Sequence, residues 1–542
     1  MFLSVLFGED TFLFWMLSVF YFNIVSVRAQ EAREHMDFLN RKEAYSFQFF
    51  FLVKSGYLCK ARWIARKKIP RYNNCEKRTV FGSIAGNIRS GEEMEENMKQ
   101  KGKNIKVALI GAGSAQFASH IVTDMSLCEG LQGSRVVLMD INEKRLEFIA
   151  VVAQRLANEL KSGLTIEKTT VLETALEDAD FVINSVQVGG YGWVEEQRAM
   201  AEKYGLYRGA NLHEFGQMDY FLKLMKKMEE ICPDAWHIQA ANPVFEGGTY
   251  IARNSTIKTI GLCHGFSGYL QVADVLGLER ERVRANCYGF NHWLWMNEFT
   301  YDGKDAYPIL DEWIEEKAEE YWNLDNRPYH YNQMSRGAVH QYQIFGKMPI
   351  GDTPRHGGWW YHTDLAENQK WYGKIGGFDS EIGWKLHLEN CANILSQIEK
   401  AAKDWETPIV KALDAKQSPE QIIPVIHAIA NDEPGVFQVN VPNQKQLLPD
   451  FPENLVVEGQ ARVDAKGVEW LAAPPLPSNI ITNAMIPRWL YAERKLEVMR
   501  SRSRNALLLY LLGDHRMKNL DIAKALADEW LAHEKTKGLG IK

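Results

Sequence analysis

Gly111-Ala112-Gly113-Ser114 is the first group of residues whose types and spacing can do chemistry. It follows the apolar run Ile105 to Ile110 (IKVALI) and leads into Phe117 to Met125, whose apolar spacing predicts a helix. A strand, a G-x-G turn and a helix N-terminus aim backbone N–H groups and the helix's positive end at one point, where a pyrophosphate can sit. The third glycine of the usual fingerprint is missing, with Gln116 and Phe117 in its neighbourhood, so the turn alone is a weak signal. Asp140 strengthens it, because it ends a second apolar run, Arg135 to Met139 (RVVLM). An acid at the tip of strand two is where dinucleotide folds hold a ribose diol, and its charge repels a 2′-phosphate, favouring NAD over NADP.

More polar residues end the next apolar runs. Asn184 and Gln187 follow Asp180 to Asn184 (DFVIN), Asn242-Pro243 follows Trp236 to Gln239 (WHIQ), and Cys263-His264 follows Thr259 to Leu262 (TIGL). In a doubly wound sheet, ligands bind outside the carboxyl ends of the strands, so these residues are predicted to converge on one crevice with the dinucleotide. Each also has an ordinary reading. Asn242 suits a turn before proline, Cys263 a buried thiol and His264 a surface cap. Their succession at strand ends is what favours a site.

The elements needed to position them alternate strand and helix. After Asp140, the residues Leu146, Ile149, Ala153, Leu156 and Leu160 share one helical face, as a helix covering a sheet requires. The expected fold class is α/β, with a Rossmann-like NAD-binding domain of the lactate and malate dehydrogenase kind over residues 104–265. A mixed α+β domain for substrate binding and oligomerisation follows at 266–542. Its end reads as two helices, Ala492 to Leu512 and Leu520 to His533, separated by Gly513-Asp514-His515. No internal repeat or low-complexity linker interrupts it.

Composition limits the alternatives. The chain has 542 residues, 46% of them hydrophobic, which is ample for a packed core. Lys+Arg 63 against Asp+Glu 69 gives a formal charge of -6 with no long basic block, which argues against nucleic acid as a partner. The 7 cysteines are scattered, form no disulfide framework and suit a reducing compartment.

Residues 1–93 differ from the rest, holding by count 12 of the chain's 25 Phe. Thr11 to Val27 is an apolar run near the lower limit for a membrane span, about 17 residues. It lacks the preceding Lys or Arg of a signal peptide, and Glu9 and Asp10 stand there instead. Two readings compete: a genuine anchor, or an over-long reading frame whose real start is Met94 or Met98. The second is favoured, because Ser90-Gly91-Glu92-Glu93 would be encoded by purine-rich codons like those of a ribosome-binding site. If the run does span a membrane, the Lys/Arg excess after it places the catalytic part on the cytoplasmic side.

From about Ile105 to the C-terminal helices the chain resembles glycoside hydrolase family 4, and its α-glucosidase branch most closely. The motifs are GAGSAQF (Gly111 to Phe117), LMDINEKRL (Leu138 to Leu146), AANPVFEG (Ala240 to Gly247), GLCHG (Gly261 to Gly265), GFNH (Gly289 to His292) and MPIGDTPR (Met348 to Arg355). The resemblance implies an NAD- and metal-dependent glycosidase acting on a small α-glycoside, in the cytoplasm, as a homodimer or homotetramer. Gly111, Gly113, Ser114, Phe117, Asp140 and Asn184 would bind NAD. Cys263 and His292 would ligate a divalent transition metal, usually Mn2+. Asn242 and Arg355 would bind substrate, Asp352 would be the base, and His264 is the candidate general acid. A mixed thiolate and imidazole pair suits a transition metal better than magnesium or calcium.

The implied reaction is an oxidation and elimination. NAD takes a hydride from carbon 3, the ketone acidifies the carbon 2 proton, a base removes it, and the metal stabilises the enediolate. Elimination expels the glycosidic oxygen, water adds to carbon 1 and the hydride returns, so no two-carboxylate pair is needed. His264, where phosphosugar enzymes of the family carry aspartate or asparagine, favours an unphosphorylated sugar. An α-glucuronidase or α-galacturonidase is an alternative, with Arg355 or Arg208 as the cation near carbon 6. A net keto-sugar-forming NAD-dependent dehydrogenase is another, and an NAD-sensing homologue without turnover a third.

The chain departs from the family at Arg208 to Gly216 (RGANLHEFG), where many members carry D-T-x-G-P-G-G. This leaves sugar selectivity and assembly open. His213 and Glu214 either read substrate hydroxyls or cap a helix expected from Met218. Trp293, Trp295, Trp359, Trp360 and Tyr361 either stack on a sugar or belong to the core.

Overall fold

Lys106–Ile110 (β1) is apolar apart from its first residue and buried at every position, the pattern of a strand covered on both faces. It opens the computed structural model's described residues, 104–324 and 333–542, which lie within one compact unit spanning Arg89–Lys542. After it come Ala115–Leu127 (α1), Arg135–Met139 (β2), Glu143–Glu159 (α2), Thr165–Thr169 (β3), Phe181–Asn184 (β4), Gly190–Glu202 (α3), His213–Ile231 (α4), Trp236–Gln239 (β5), Val244–Asn254 (α5) and Thr259–Gly261 (β6). These six strands pair in parallel in the order β3-β2-β1-β4-β5-β6. That is the strand order of the dinucleotide-binding fold.

The second half contributes Val283–Phe290 (β7), Trp293–Tyr301 (β8), Lys304–Asp305 (β9), Met348–Ile350 (β10), Thr353–His356 (α6), Glu381–Lys403 (α7), Gly435–Pro442 (β11), Val456–Asp464 (β12) and Gly467–Trp470 (β13). Towards its end come Ile486–Ser501 (α8), Arg504–Leu512 (α9) and Leu520–Ala532 (α10), followed by a single turn at Glu534–Lys537. The sheet does not stop at β6. It continues through antiparallel β11, β12, β7, β8 and β10, so a single 13-stranded sheet carries both halves.

Several expected boundaries move. α1 starts at Ala115, two residues before the predicted Phe117. α4 starts at His213 rather than Met218, so His213 and Glu214 lie inside its first turn. The predicted helix from Ala492 to Leu512 is two helices, because Arg502 turns left-handed (φ 51) and Ser503 caps a fresh start by accepting from Asn505 N–H. Apolar spacing hid the break because α8 and α9 pack into the same cluster, around Phe215, Tyr510 and Trp530. Among the described residues no helix is long and apolar enough to cross a membrane. The apolar run at 11–27 lies outside them.

Buried charge ties the halves together. Lys495 on α8 is 1% exposed; its Nζ lies 3.0 Å from Glu246 Oε1 on α5 and also contacts Glu214 on α4. Glu246 accepts a second hydrogen bond from Arg488 at 2.7 Å. Removing the lysine leaves the largely buried Glu214 carboxylate without this cation and Glu246 with Arg488 alone. Lys495→Ala is expected to lower stability by about 3–5 kcal/mol in denaturant unfolding, and a loss under 1 kcal/mol would show that the network carries no such weight.

His237 on β5 is fully buried, with Nδ1 3.2 Å from Thr259 Oγ1 and no partner at Nε2. Burial pushes its pKa down to about 3. The folded state therefore holds the ring neutral, while the unfolded chain takes up a proton below about pH 6.5, so stability falls as pH drops from there towards 3. Acid unfolding should steepen by roughly 1.4 kcal/mol per pH unit from this one residue. A His237→Asn variant should take up one proton fewer on unfolding between about pH 3 and 6.5, and an unchanged slope would count against it.

Candidate active site

The dinucleotide turn is built on two glycines. Gly111 has φ 92 and donates its N–H to Met139 O at 2.9 Å. Gly113 N–H donates to Asp140 Oδ2 at 2.7 Å, and a Cβ at Gly113 would lie 2.4 Å from that oxygen. Asn142 N–H donates to Asp140 Oδ1 at 2.8 Å. The acid at the tip of β2 is thus drawn onto the crest of the turn, in a cradle that any side chain at Gly113 would fill. Ser114 is exposed at the start of α1, and Ile141 beside Asp140 is 88% exposed. Phe117 is half-buried and packs on the core under α1.

Asn184 stands at the end of β4. It is fully buried, its Nδ2 donates to Gln239 Oε1 at 3.0 Å and its Oδ1 accepts from Val186 N–H at 3.2 Å. With both ends engaged, it ties β4 to β5. Asn242, one strand over, is exposed just past the end of β5.

Three loops bring Cys263, His292 and Asp352 together. Cys263 follows β6, and its Sγ accepts from Gly265 N–H at 3.4 Å. His292 is the second residue of the two-residue turn between β7 and β8, because Phe290 pairs directly with Trp293. Its φ of 60 is a strained conformation for a non-glycine residue, of the kind that persists where the surroundings hold it. His292 Nε2 lies 3.8 Å from Cys263 Sγ and 3.0 Å from Asp352 Oδ2. Asp352 follows β10 and reaches this point because Gly351 lies against the Cys263 loop, where a Cβ would meet Gly265 O at 2.6 Å. Leu294 N–H donates to Thr353 Oγ1 at 2.6 Å, pinning the turn to the start of α6.

Charge on these residues is set by their neighbours. Burial works against the Asp352 carboxylate, yet Arg355 and His292 beside it hold its pKa well below the usual carboxylate range. Burial likewise opposes charge on His292, but Asp352 and Cys263 raise it to about 10. Arg355 Nε donates to Asp352 Oδ1 at 2.8 Å, and its other arm donates to Asp379 Oδ2 at 2.6 Å. Asp379 belongs to the site although nothing near it in sequence signals that. Arg208 Nε donates to its backbone oxygen at 2.9 Å, while Arg198 stacks on Trp384 at 4.1 Å and acts on it by charge.

His264 Nδ1 lies 3.1 Å from Glu420 Oε1, and that hydrogen bond raises its pKa to about 9. Glu420 is a second partner that sequence reasoning missed, 156 residues away by numbering. Of the aromatic candidates, Trp295 and Tyr361 are core, and Trp293 donates its Nε1–H to Ala484 O. Trp359 and Trp360 are exposed.

Cys263 and His292 are the residues that fit a metal. A thiolate and an imidazole 3.8 Å apart can share one cation at ligand bonds of about 2.0–2.3 Å, and the soft sulfur favours a transition ion. Among the described residues no group of three or more His, Cys, Asp or Glu forms a complete cage. Cys263 and His292 would thus hold such an ion as two ligands, with other donors needed to complete its shell.

Comparison with known proteins agrees with this geometry. The profile of the family 4 glycosyl hydrolase domain matches residues 106–278, and that of the family 4 glycosyl hydrolase C-terminal domain matches residues 287–517. An α-galactosidase of Bacillus subtilis (strain 168) is 26% identical over 69% of this chain and 85% of its own. An α-galacturonidase of Thermoanaerobacter italicus is 26% identical over 70% and 85%, and an α-glucosidase of Erwinia rhapontici 26% over 74% and 93%. A 6-phospho-α-glucosidase from gut microorganisms, solved in complex with NAD and Mn2+, superposes with a TM-score of 0.66 at 16% identity, covering 81% of this chain and all of that one. With both halves matched in order across the strand ends described above, the chain belongs to the family 4 glycosyl hydrolases.

Proposed function

We propose that the chain hydrolyses α-glycosides of an unphosphorylated hexose, α-glucosides first, by oxidation at carbon 3, elimination across carbons 1 and 2, addition of water and re-reduction. The observation that supports this best is the meeting of a thiol, an imidazole and a carboxylate at Cys263, His292 and Asp352. A simple hydride transfer needs no base for a carbon-bound proton, whereas elimination does.

Bound NAD would supply the reversible oxidation, and a divalent ion such as Mn2+ would supply Lewis acidity at the substrate oxygens. The Gly111–Ser114 turn, the start of α1 and Asp140 hold the dinucleotide, and exposed Ile141 offers an apolar surface beside it. Cys263 and His292 hold the ion. Asn242 binds a sugar hydroxyl. Asp352 removes the carbon 2 proton, with Arg355 fixing its Oδ1 and Asp379 keeping Arg355 in place. His264, steered by Glu420, donates to the departing glycosidic oxygen.

A neutral sugar is favoured over a uronic acid. Arg355 is engaged by Asp352 and Asp379, and Arg208 by Asp379 O, Glu195 and Glu202, so both candidate cations already have partners. The equal identity to an α-glucosidase, an α-galactosidase and an α-galacturonidase keeps all three sugars in the test.

Two measurements check this reading. With p-nitrophenyl α-glucoside, α-galactoside and α-galacturonide, cleavage should vanish when either NAD or Mn2+ is left out, with no net NADH formed; steady NADH build-up without cleavage would establish the dehydrogenase instead. Asp352→Asn should lower kcat by about 10²–10⁴-fold and abolish exchange of the carbon 2 hydrogen with deuterated solvent. Retained exchange in that variant would assign the base elsewhere.

A further inference from the structure

Gly261, Asn440, Glu458 and Gly289 are successive partners across β6, β11, β12 and β7. The row begins two residues before Cys263 and ends three residues before His292. Its end residues have no side chains, so Asn440 and Glu458 fill the space between the two ligand-bearing loops. Both are buried, at 2% and 0% exposure.

Glu458 is a costly residue to place there. Among the described residues no Lys or Arg pairs with it, and its oxygens are met by amides: Asn291 Nδ2 donates to Oε2 at 2.9 Å and Gln438 Nε2 donates to Oε1 at 3.5 Å. Asn440 Nδ2 donates along the same row to Gly261 O at 3.4 Å. A buried carboxyl with no direct ion pair is unfavourable even with the His292 charge nearby, and an apolar residue would fill the row more cheaply. Burial accordingly pushes the Glu458 carboxyl above its ordinary range. Its strongest partner, Asn291, is itself buried and immediately precedes His292 in the strained turn.

We propose that Glu458 is a positioning residue for the metal: by accepting the Asn291 amide it fixes the β7–β8 turn and presents His292 to the ion that Cys263 shares. The inference rests on the reading of Cys263 and His292 as the metal ligands. Partners of this kind, one step removed from a ligand, typically alter metal affinity by about 10–100-fold when lost. Glu458→Gln keeps the shape of the side chain but offers one acceptor and one donor to two amide donors, so one contact becomes repulsive.

The test uses the full chain and titrates Mn2+ by electron paramagnetic resonance, with NAD affinity followed in parallel by fluorescence. Glu458→Gln and Asn291→Ala should each weaken Mn2+ binding about tenfold or more, and the double variant should be no weaker than the worse single one, since both break the same link. NAD affinity should stay within about twofold in all of them, because the glycine turn lies elsewhere on the sheet. Mn2+ affinity within about twofold of the unaltered chain in Glu458→Gln would overturn the proposal. So would a parallel loss of NAD and Mn2+ binding, the mark of general loosening. Should Glu458→Gln not fold, Asn291→Ala probes the link from the turn side, and unchanged Mn2+ affinity there overturns it equally. Cys263→Ser separates the two levels of the argument: Mn2+ binding as tight as in the unaltered chain would bring down the ligand assignment itself, and the role of Glu458 with it.

Discussion

Everything in the crevice depends on one atom, His292 Nε2, standing between a thiol and a carboxylate that come from distant parts of the chain. Cys263 arrives at the end of a parallel strand, His292 on an antiparallel hairpin and Asp352 on a loop before a short helix. Separations of 3–4 Å among such pieces need a common frame. The continuous sheet supplies it for the first two, and two local anchors supply it for the third: Gly351 against Gly265, and Leu294 N–H on Thr353 Oγ1. The left-handed φ of His292 shows the direction of the compromise, since backbone strain is accepted where it aims the ring.

How much of this could be read from the sequence follows from how local each signal is. The G-x-G turn, Asp140 and the strand-end residues Asn242, Cys263 and His264 are short-range features, and the strand–helix alternation that carries them is written in apolar runs. Five of the six parallel strands appeared where those runs predicted them, while β3 (Thr165–Thr169), polar at most positions, carried no such run. The join at β6 to β11 was not legible, because 173 residues separate the end of β6 from the start of β11 and pairing of that range leaves no periodic trace. Asp379 and Glu420 were missed for the same reason, as each is an ordinary surface acid until the fold brings it to Arg355 or His264. Asn184 shows how a strand-end position also serves the frame. Its position at a strand end is right for a ligand, but hydrogen bonds at both ends of its side chain make it a strap between strands. The break at Arg502 was invisible because apolar spacing records which face is buried and carries no mark of where the backbone turns.

Buried charge is distributed in two patterns with different consequences. Around Asp352, Arg355 and Asp379 the charges alternate in a short chain that ends at the crevice, where Asp352 Oδ1 is held by Arg355 and Oδ2 faces His292. Around Lys495 the charges close on themselves, with Glu246 satisfied by both Lys495 and Arg488. The first pattern suits chemistry, because a base must be held and still be reachable. The second suits assembly, because it locks α4, α5 and α8 without leaving a free group.

The altered stretch at residues 208–216 can be understood in the same terms. Arg208 takes a left-handed φ of 57 and delivers its guanidinium to the backbone of Asp379, while Glu195 and Glu202 hold the other arms. From the other side, Tyr510 donates to Ala210 O at 2.9 Å and Arg516 donates to Gly209 O at 3.0 Å. The stretch is therefore clamped between the C-terminal helices and the acid that supports Arg355. Its contribution is to stiffen the route from Asp379 to Asp352, a task that depends on backbone oxygens and one guanidinium more than on a particular glycine-rich motif. A departure in sequence at this point therefore leaves the Asp352–Arg355–Asp379 chain intact, while Asn242 and His264 remain exposed at the strand ends.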